Sequence, residues 1–275
     1  MDENDFRNIL IDHFIETYSN EYINDYIMRK VWNTLYEVTK HIPEERICYI
    51  GLYGSQNYML DTENSDIDCQ CFIFPSLENI TFDTKPISTT IKTQYGECVI
   101  KDIRSAINEI LKSSPNILEV FGTAYSIVNR DYQKLITDFC NKINDYAHLS
   151  EYKFLLGLRG IWNSYNKDVS IHHTGKAYAN VFRIGEMIEK VIDEEVWHYP
   201  SILISDDLDY LKWIKGTHNP LREHTLDTYD EYKEIISKKL SKYFDSHEFT
   251  YIAWTYEEIQ TKLRQLMKRY LKLTL

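Results

Sequence analysis

The pattern of apolar positions divides the chain into a first part with short strands and a long helical remainder. Between residues 6 and 38, apolar side chains recur every three or four positions, which predicts two helices. Runs rich in β-forming residues then predict strands at residues 46–53, 66–74, 88–94 and 97–101. The last two runs are joined by a tight turn at Tyr95-Gly96, which indicates a hairpin.

The remainder of the chain has the 3.6-residue periodicity of amphipathic helices. Asp102 is well placed to cap a helix, and Pro115 is tolerated in the first turn of the next one. Further helices are predicted at residues 131–146, 150–166, 174–193, 206–215, 228–244 and 250–272. We therefore expect an α+β fold in two domains, a small mixed β-sheet with flanking helices over residues 1–128 and a helical C-terminal domain over residues 129–275.

The composition is that of a globular protein, with 43% hydrophobic and 14% aromatic residues in 275 positions. The formal net charge of −11 excludes a uniformly basic surface for nucleic acid, although it leaves room for a local basic cleft. The acidic N-terminus lacks a signal-peptide pattern, and no apolar run approaches the ~20 residues of a membrane span. We expect a soluble, cytoplasmic protein without a membrane partner. The five cysteines form no Cys-x-x-Cys pair and are expected to be buried free thiols.

Two aspartates at the start of the second predicted strand are the first candidates for chemistry. Asp66 and Asp68 are two positions apart, so on a strand both carboxylates point to the same face. Adjacent carboxylates repel each other, and a divalent cation such as Mg²⁺ removes that repulsion because it prefers oxygen ligands. The simpler alternative is a solvated strand end that follows the polar turn at residues 62–65.

A Gly-Ser pair ends the preceding predicted strand. Glycine lets the backbone approach a phosphate group closely, and the hydroxyl of Ser55 can bind a phosphate oxygen. Taken alone, Gly54-Ser55 is also an ordinary turn.

Together these pieces carry a family resemblance. The order strand, Gly54-Ser55, a short connection and then Asp-x-Asp resembles the DNA polymerase beta nucleotidyltransferase superfamily. Residues 54–68 are similar, more narrowly, to the predicted nucleotidyltransferases linked to RNA repair, whose pattern is G-S-R-x-Y/F-G-L-x-T-x-x-S-D-x-D. Residues 102–121 also resemble that family's helix followed by Asn-Pro-x-x-Leu-Glu. The chain departs from the pattern at Gln56, Met59 and Ser114, where the family has a basic residue, glycine and asparagine.

The resemblance implies metal-dependent transfer of a nucleoside monophosphate from an NTP to a hydroxyl, with release of pyrophosphate. RNA is the favoured acceptor, and a protein or small molecule is the alternative. A nucleotide- or protein-binding module that has lost catalysis is a third alternative. The implied metal is Mg²⁺ or Mn²⁺. The sequence gives no indication of the oligomeric state.

The resemblance also assigns residues. It places the metal on Asp66, Asp68 and a third acid, and the nucleotide on Gly54, Ser55, Gln56 and Tyr58. Glu97 falls at the family's third acid when the following helices are aligned, and Asp102 is the alternative, although it is already placed to cap a helix.

One face of the predicted helix that begins near Thr174 adds candidate cations. Lys176, Asn180 and Arg183 share that face by their spacing, and the chain around them resembles the same family. Lys176 and Arg183 are expected to contact phosphates of a nucleotide or of RNA. An ordinary solvated helix face is the alternative.

Overall fold

A computed structural model describes residues 5–17, 23–149, 151–194, 202–216, 223–246 and 253–274. Its centre is a six-stranded mixed sheet with the order β1-β6-β2-β3-β5-β4. Strands β3 and β5 are parallel, and the other neighbouring pairs are antiparallel. The strands are β1 (Phe14–Glu16), β2 (Ile47–Tyr53), β3 (Asp68–Ile73), β4 (Ser88–Lys92), β5 (Glu97–Asp102) and β6 (Ser126–Asn129).

Helices flank the sheet and make up most of the chain after it, so the fold is α+β as expected. The helices with defined ends are α1 (Asp5–Leu10), α2 (Asp25–Thr39), α3 (Leu77–Thr81), α4 (Ile103–Leu111), α5 (Pro115–Gly122), α6 (Gln133–Leu149), α7 (Glu151–His172), α8 (Gly175–Asp193), α9 (Leu208–Gly216), α10 (Glu223–Ser246) and α11 (Ala253–Thr274). Over the residues described, no helix combines the length and the apolar character needed to cross a membrane.

Local capping explains where several of these helices begin. The Asp102 side chain accepts a hydrogen bond from the Arg104 amide at 2.9 Å and so caps α4, as predicted. Thr174 caps α8 in the same way through the Ala177 amide. Pro115 occupies the first turn of α5, where its missing N–H costs no hydrogen bond.

Both faces of the sheet are buried, because the strands alternate their side chains between two hydrophobic clusters. Ile67, Cys69 and Cys71 pack with α2 on one face. Tyr49 and Phe72 belong to the cluster on the other face, which extends to the C-terminal helices. All five cysteines are buried free thiols, which confirms the prediction.

Some elements differ from the predictions. Phe14, which fitted a helical pattern, lies in β1 and pairs with Asn129 of β6, and neither strand was predicted. Strands of three and four residues are too short to show a period of their own, and distant partners stabilise them. The second predicted strand begins at Asp68, so Asp66 precedes it. The proposed domain boundary after residue 128 falls inside β6.

Candidate functional site

A cavity of about 690 Å³ lies on the face of the sheet opposite α2. Its walls come from β2, β3 and β5 and from helices that include α5, α8 and α9. The residues that line it include Ser55, Asp66, Asp68, Lys176 and Lys215. Residues from the N-terminal half of the chain and from its C-terminal half therefore line one cavity.

The register of the strands places Glu97 beside Asp68. Tyr53 pairs with Asp68 across β2 and β3, and the parallel pairing of β3 with β5 aligns Cys69 with Cys98. The residues just before these cysteines, Asp68 and Glu97, are therefore neighbours. The Glu97 amide donates a hydrogen bond to Asp68 Oδ1 at 3.1 Å. Side chains alternate along β5, so Glu97 lies on the same face as Val99, which lines the cavity.

A glycine in the β4–β5 turn permits this close approach. A Cβ atom on Gly96 would lie 2.5 Å from the carbonyl oxygen of Ile67 and 3.0 Å from Asp68 Oδ1. Any larger residue would push the turn away from the start of β3. The glycine of the predicted hairpin therefore has a second role, because it holds Glu97 against Asp68.

The surroundings of Asp68, on the acidic side of the cavity, disfavour its ionised form. The pKa of Asp68 is raised, first because the carboxyl is partly buried and then because Asp66 and Glu97 are negatively charged. Nearby Lys176 and the Glu97 amide act in the opposite direction. Burial, followed by the charge of Asp68, raises the pKa of Tyr53 to about 12. A bound cation would favour ionised Asp68.

The donors are of the type that a hard divalent cation requires. Asp66 and Asp68 line one cavity, and Glu97 adjoins Asp68, so that oxygen donors are available from three carboxylates. In the described part of the chain, no three His, Cys, Asp or Glu side chains are already gathered into a metal-binding group. An ion bound here would have to draw these carboxylates together. Asp102 lies elsewhere, fully buried at the end of β5 and paired with Arg104 at 2.7 Å.

The Gly54-Ser55 turn is fixed from behind by Glu119 of α5. Gly54 has φ +110° and ψ −158°, a backbone conformation that is essentially restricted to glycine. Its amide donates to Glu119 Oε1 at 2.6 Å, and Asn57 Nδ2 donates to the same oxygen at 3.1 Å. The Tyr58 hydroxyl donates to Glu119 Oε2 at 2.8 Å. The Gly54 amide is therefore already used, and Gly54 shapes the turn.

Ser55 is the member of the turn that is available to a ligand. It lines the cavity, and no hydrogen bond within the described ranges involves its hydroxyl. The turn continues only as a short 3₁₀ segment, Ser55–Tyr58, so no long helix begins there. Gln56 is buried and donates from Nε2 to the Asp66 carbonyl oxygen at 2.7 Å. It therefore supports the connection before β3 and does not line the cavity.

The predicted cations occupy two different places. Lys176 is exposed and lines the cavity. Arg183 is only 5% exposed, and its Cζ lies 3.7 Å from the centre of the Tyr58 ring. Arg183 therefore packs behind Tyr58, whereas the sequence predicted a contact with phosphates. Tyr58 itself lines the cavity.

Sequence reasoning missed a second lysine of the cavity wall. Lys215 of α9 lines the cavity, and its Nζ donates to the Leu60 carbonyl oxygen. The pKa of Lys215 is lowered by burial and by the positive charge of Lys176. The prediction of a helix near its position gave no indication that this side chain reaches a loop 155 residues earlier.

Glu119 was also missed, although the sequence carried a signal. It is a glutamate within the apolar helix sequence PNILEVFG, and a buried carboxylate needs hydrogen-bond partners. Burial raises its pKa, while the three hydrogen bonds and the charge of Arg183 lower it.

When compared with protein-family models and with curated proteins, the chain matches none of them.

Proposed function

We propose that this protein is a metal-dependent nucleotidyltransferase that moves a nucleoside monophosphate from an NTP to a hydroxyl group. The proposal rests mainly on the meeting of Asp66 and Asp68 with Ser55 and two lysines in one cavity. The α+β fold, with a mixed sheet that carries the acids, supports a nucleotidyltransferase core with a helical C-terminal part.

One group of residues in the cavity is proposed to bind the phosphates, and a second group is proposed to bind the metal ion. Ser55, Lys176 and Lys215 bind the triphosphate and neutralise its charge. Asp66 and Asp68 would hold Mg²⁺ or Mn²⁺, with Glu97 beside them. The ion, when bound, supplies positive charge to the oxygens that enter and leave phosphorus. The cavity itself contributes by holding the acceptor and the triphosphate in line.

The reaction balances without any further reactant. The acceptor hydroxyl oxygen forms a bond to the α-phosphorus, and the bond between that phosphorus and the β-bridging oxygen breaks. Pyrophosphate leaves, and the hydroxyl proton passes to a base. Glu97 is the proposed residue for this role because it is exposed beside Asp68 on the cavity face.

RNA is the proposed acceptor because of the resemblance to nucleotidyltransferases linked to RNA repair. A protein or a small-molecule hydroxyl is the alternative within the same chemistry. A catalytically silent nucleotide-binding or protein-binding module is the alternative outside it. The raised pKa of Asp68, caused first by burial and then by the charges of Asp66 and Glu97, favours the catalytic interpretation, since shifted pKa values are common at functional sites.

A labelling experiment tests the proposal. Purified protein is incubated with α-labelled NTPs, Mg²⁺ or Mn²⁺, and separate pools of RNA, protein and small molecules. We expect label on RNA, and Asp68→Asn should reduce transfer by about 10³-fold, because the metal and its acids supply several kcal/mol. Asp12→Asn, which changes an exposed carboxylate outside the cavity, serves as the matched control.

The possible outcomes are distinct. Label on protein or on small molecules would keep the chemistry and replace the acceptor. Nucleotide binding without transfer to any pool would support the silent module. Full activity of Asp68→Asn would contradict the assigned site.

A further inference from the structure

The cavity floor continues beyond the acids into a second row of residues. Gly51 of β2 pairs with Gln70 of β3, which is aligned with Val99 of β5. This row lies two residues further along the strands than Asp68, which is about 7 Å. Gln70 and Val99 both line the cavity, so its floor extends from the acids to this row. We call the part of the cavity around Gln70 and Val99 its inner end, and the part around Ser55, Asp66 and Asp68 its outer end.

The side chain of Gln70 is mostly buried, and its amide opens into the cavity without a partner among the described residues. It is 7% exposed, and none of the residues that the structure describes forms a hydrogen bond with its amide. Buried polar side chains in folded proteins almost always have a hydrogen-bond partner. Because the Gln70 amide lies open in a cavity wall and not among the fully buried polar atoms, a ligand in the cavity can reach it.

The two residues beside Gln70 in the sheet carry no charge. Val99 adjoins Gln70 on β5 and is partly exposed to the cavity. On the β2 side, Gly51 has no side chain, and Val120 of α5 packs against it. A Cβ on Gly51 would lie only 2.4 Å from the Val120 carbonyl oxygen. An uncharged wall around the Gln70 amide suits a flat ring with a polar edge.

The charges at this inner end are already balanced. Lys101 Nζ lies 2.8 Å from Glu109 Oε1, and both residues line the cavity. This ion pair leaves no unmatched charge for a phosphate group. The inner end therefore differs from the outer end, where the charged side chains of Asp66, Asp68 and Lys176 form no ion pair with the described residues.

We infer that the inner end binds the nucleobase of the NTP and that the Gln70 amide hydrogen-bonds to the edge of the base. An amide presents a donor and an acceptor side by side, which matches the edges that nucleobases display. The inference rests on the proposed function, in which the triphosphate lies at the Ser55 end. It assigns Gln70 as a residue that recognises the base.

Two ligands separate recognition of the base from binding of the phosphates. ATP and inorganic tripolyphosphate are titrated into the full chain by calorimetry in the presence of Mg²⁺. Gln70→Leu should weaken ATP binding about tenfold, the value of one lost hydrogen bond, and leave tripolyphosphate binding unchanged. Gln70→Met keeps the length of the side chain but removes both polar groups without adding a charge, and it should also weaken ATP binding selectively. Gln133→Leu, an exposed position, is the control.

Each result has a definite consequence. Selective loss of ATP affinity supports the inference, provided that circular dichroism shows an intact fold. Equal weakening of both ligands, or no change in either, overturns it while the proposed function stands. A wild-type protein that binds neither ligand contradicts the proposed function and, with it, this inference.

Discussion

Asp68 and Glu119, two carboxylates near the Gly54-Ser55 turn, differ in their hydrogen bonds and in the charges around them. Asp68 faces the cavity, accepts one hydrogen bond from an amide, and has Asp66 and Glu97 as neighbours of like charge. Glu119 is buried, accepts three hydrogen bonds, and lies near the positive charge of Arg183. Burial raises the pKa of both.

This difference indicates a ligand-binding role for Asp68 and a structural role for Glu119. Burial and the like charges of Asp66 and Glu97 disfavour ionised Asp68, and a ligand of opposite charge would favour it, which is the expected behaviour of a site. The bonds around Glu119 are satisfied within the protein, so they hold the turn in place without a ligand. Replacing each carboxylate by its amide should therefore change the free energy of unfolding in opposite directions at the two positions.

The largest effect is expected on stability. Glu119→Gln should lower the free energy of unfolding by about 2 kcal/mol, because three donors lose a charged acceptor. Asp68→Asn removes repulsion and keeps an acceptor for the Glu97 amide, so stability in the absence of metal should be equal or higher. Urea denaturation of both variants without divalent ions measures the contrast. A loss of stability in Asp68→Asn as large as that in Glu119→Gln would remove the distinction.

The next effect concerns the shape of the turn. Gly54→Ala should cost about 1–2 kcal/mol of stability, because φ +110° is strained for any residue with a side chain. The distorted turn should raise KM for the NTP more than it lowers kcat. Gly160→Ala is the matched control, since a Cβ there meets nothing within 4 Å and alanine favours the helix. A Gly54→Ala variant with unchanged KM would contradict the proposed role of the turn in binding the NTP.

The smallest effect is a shift in titration. An acid whose pKa is raised by folding keeps its proton to higher pH, so metal-free stability from Asp68 falls as pH rises from its unfolded to its folded pKa. Divalent-ion binding should weaken as pH falls through the raised pKa. Asp66→Asn should lower the pKa of Asp68, though only in part because burial is the first cause. Carboxyl NMR titration without metal tests this shift, and an unchanged pKa would mean that Asp66 exerts no charge effect there.

Much of the fold was predicted from the sequence where local patterns are strong. The four longer strands, the hairpin at Tyr95-Gly96 and the cap at Asp102 followed from residue type and periodicity. The prediction that Ile67, Cys69 and Cys71 face the core also holds. The two-residue period of β3 determines it for the two cysteines, whereas Ile67 precedes the strand. These features depend on neighbours in the chain.

The rest depended on contacts between distant segments. Strand β1 forms by pairing with β6, and β6 also pairs with β2; no local pattern specifies such pairing. The fold alone decided that Glu119 reaches Gly54, that Arg183 packs on Tyr58 and that Lys215 enters the cavity. The sequence by itself determined which groups alternate along a strand or helix. Only the tertiary structure decided which of them meet, because a side chain's partner across the core has no fixed spacing in the chain.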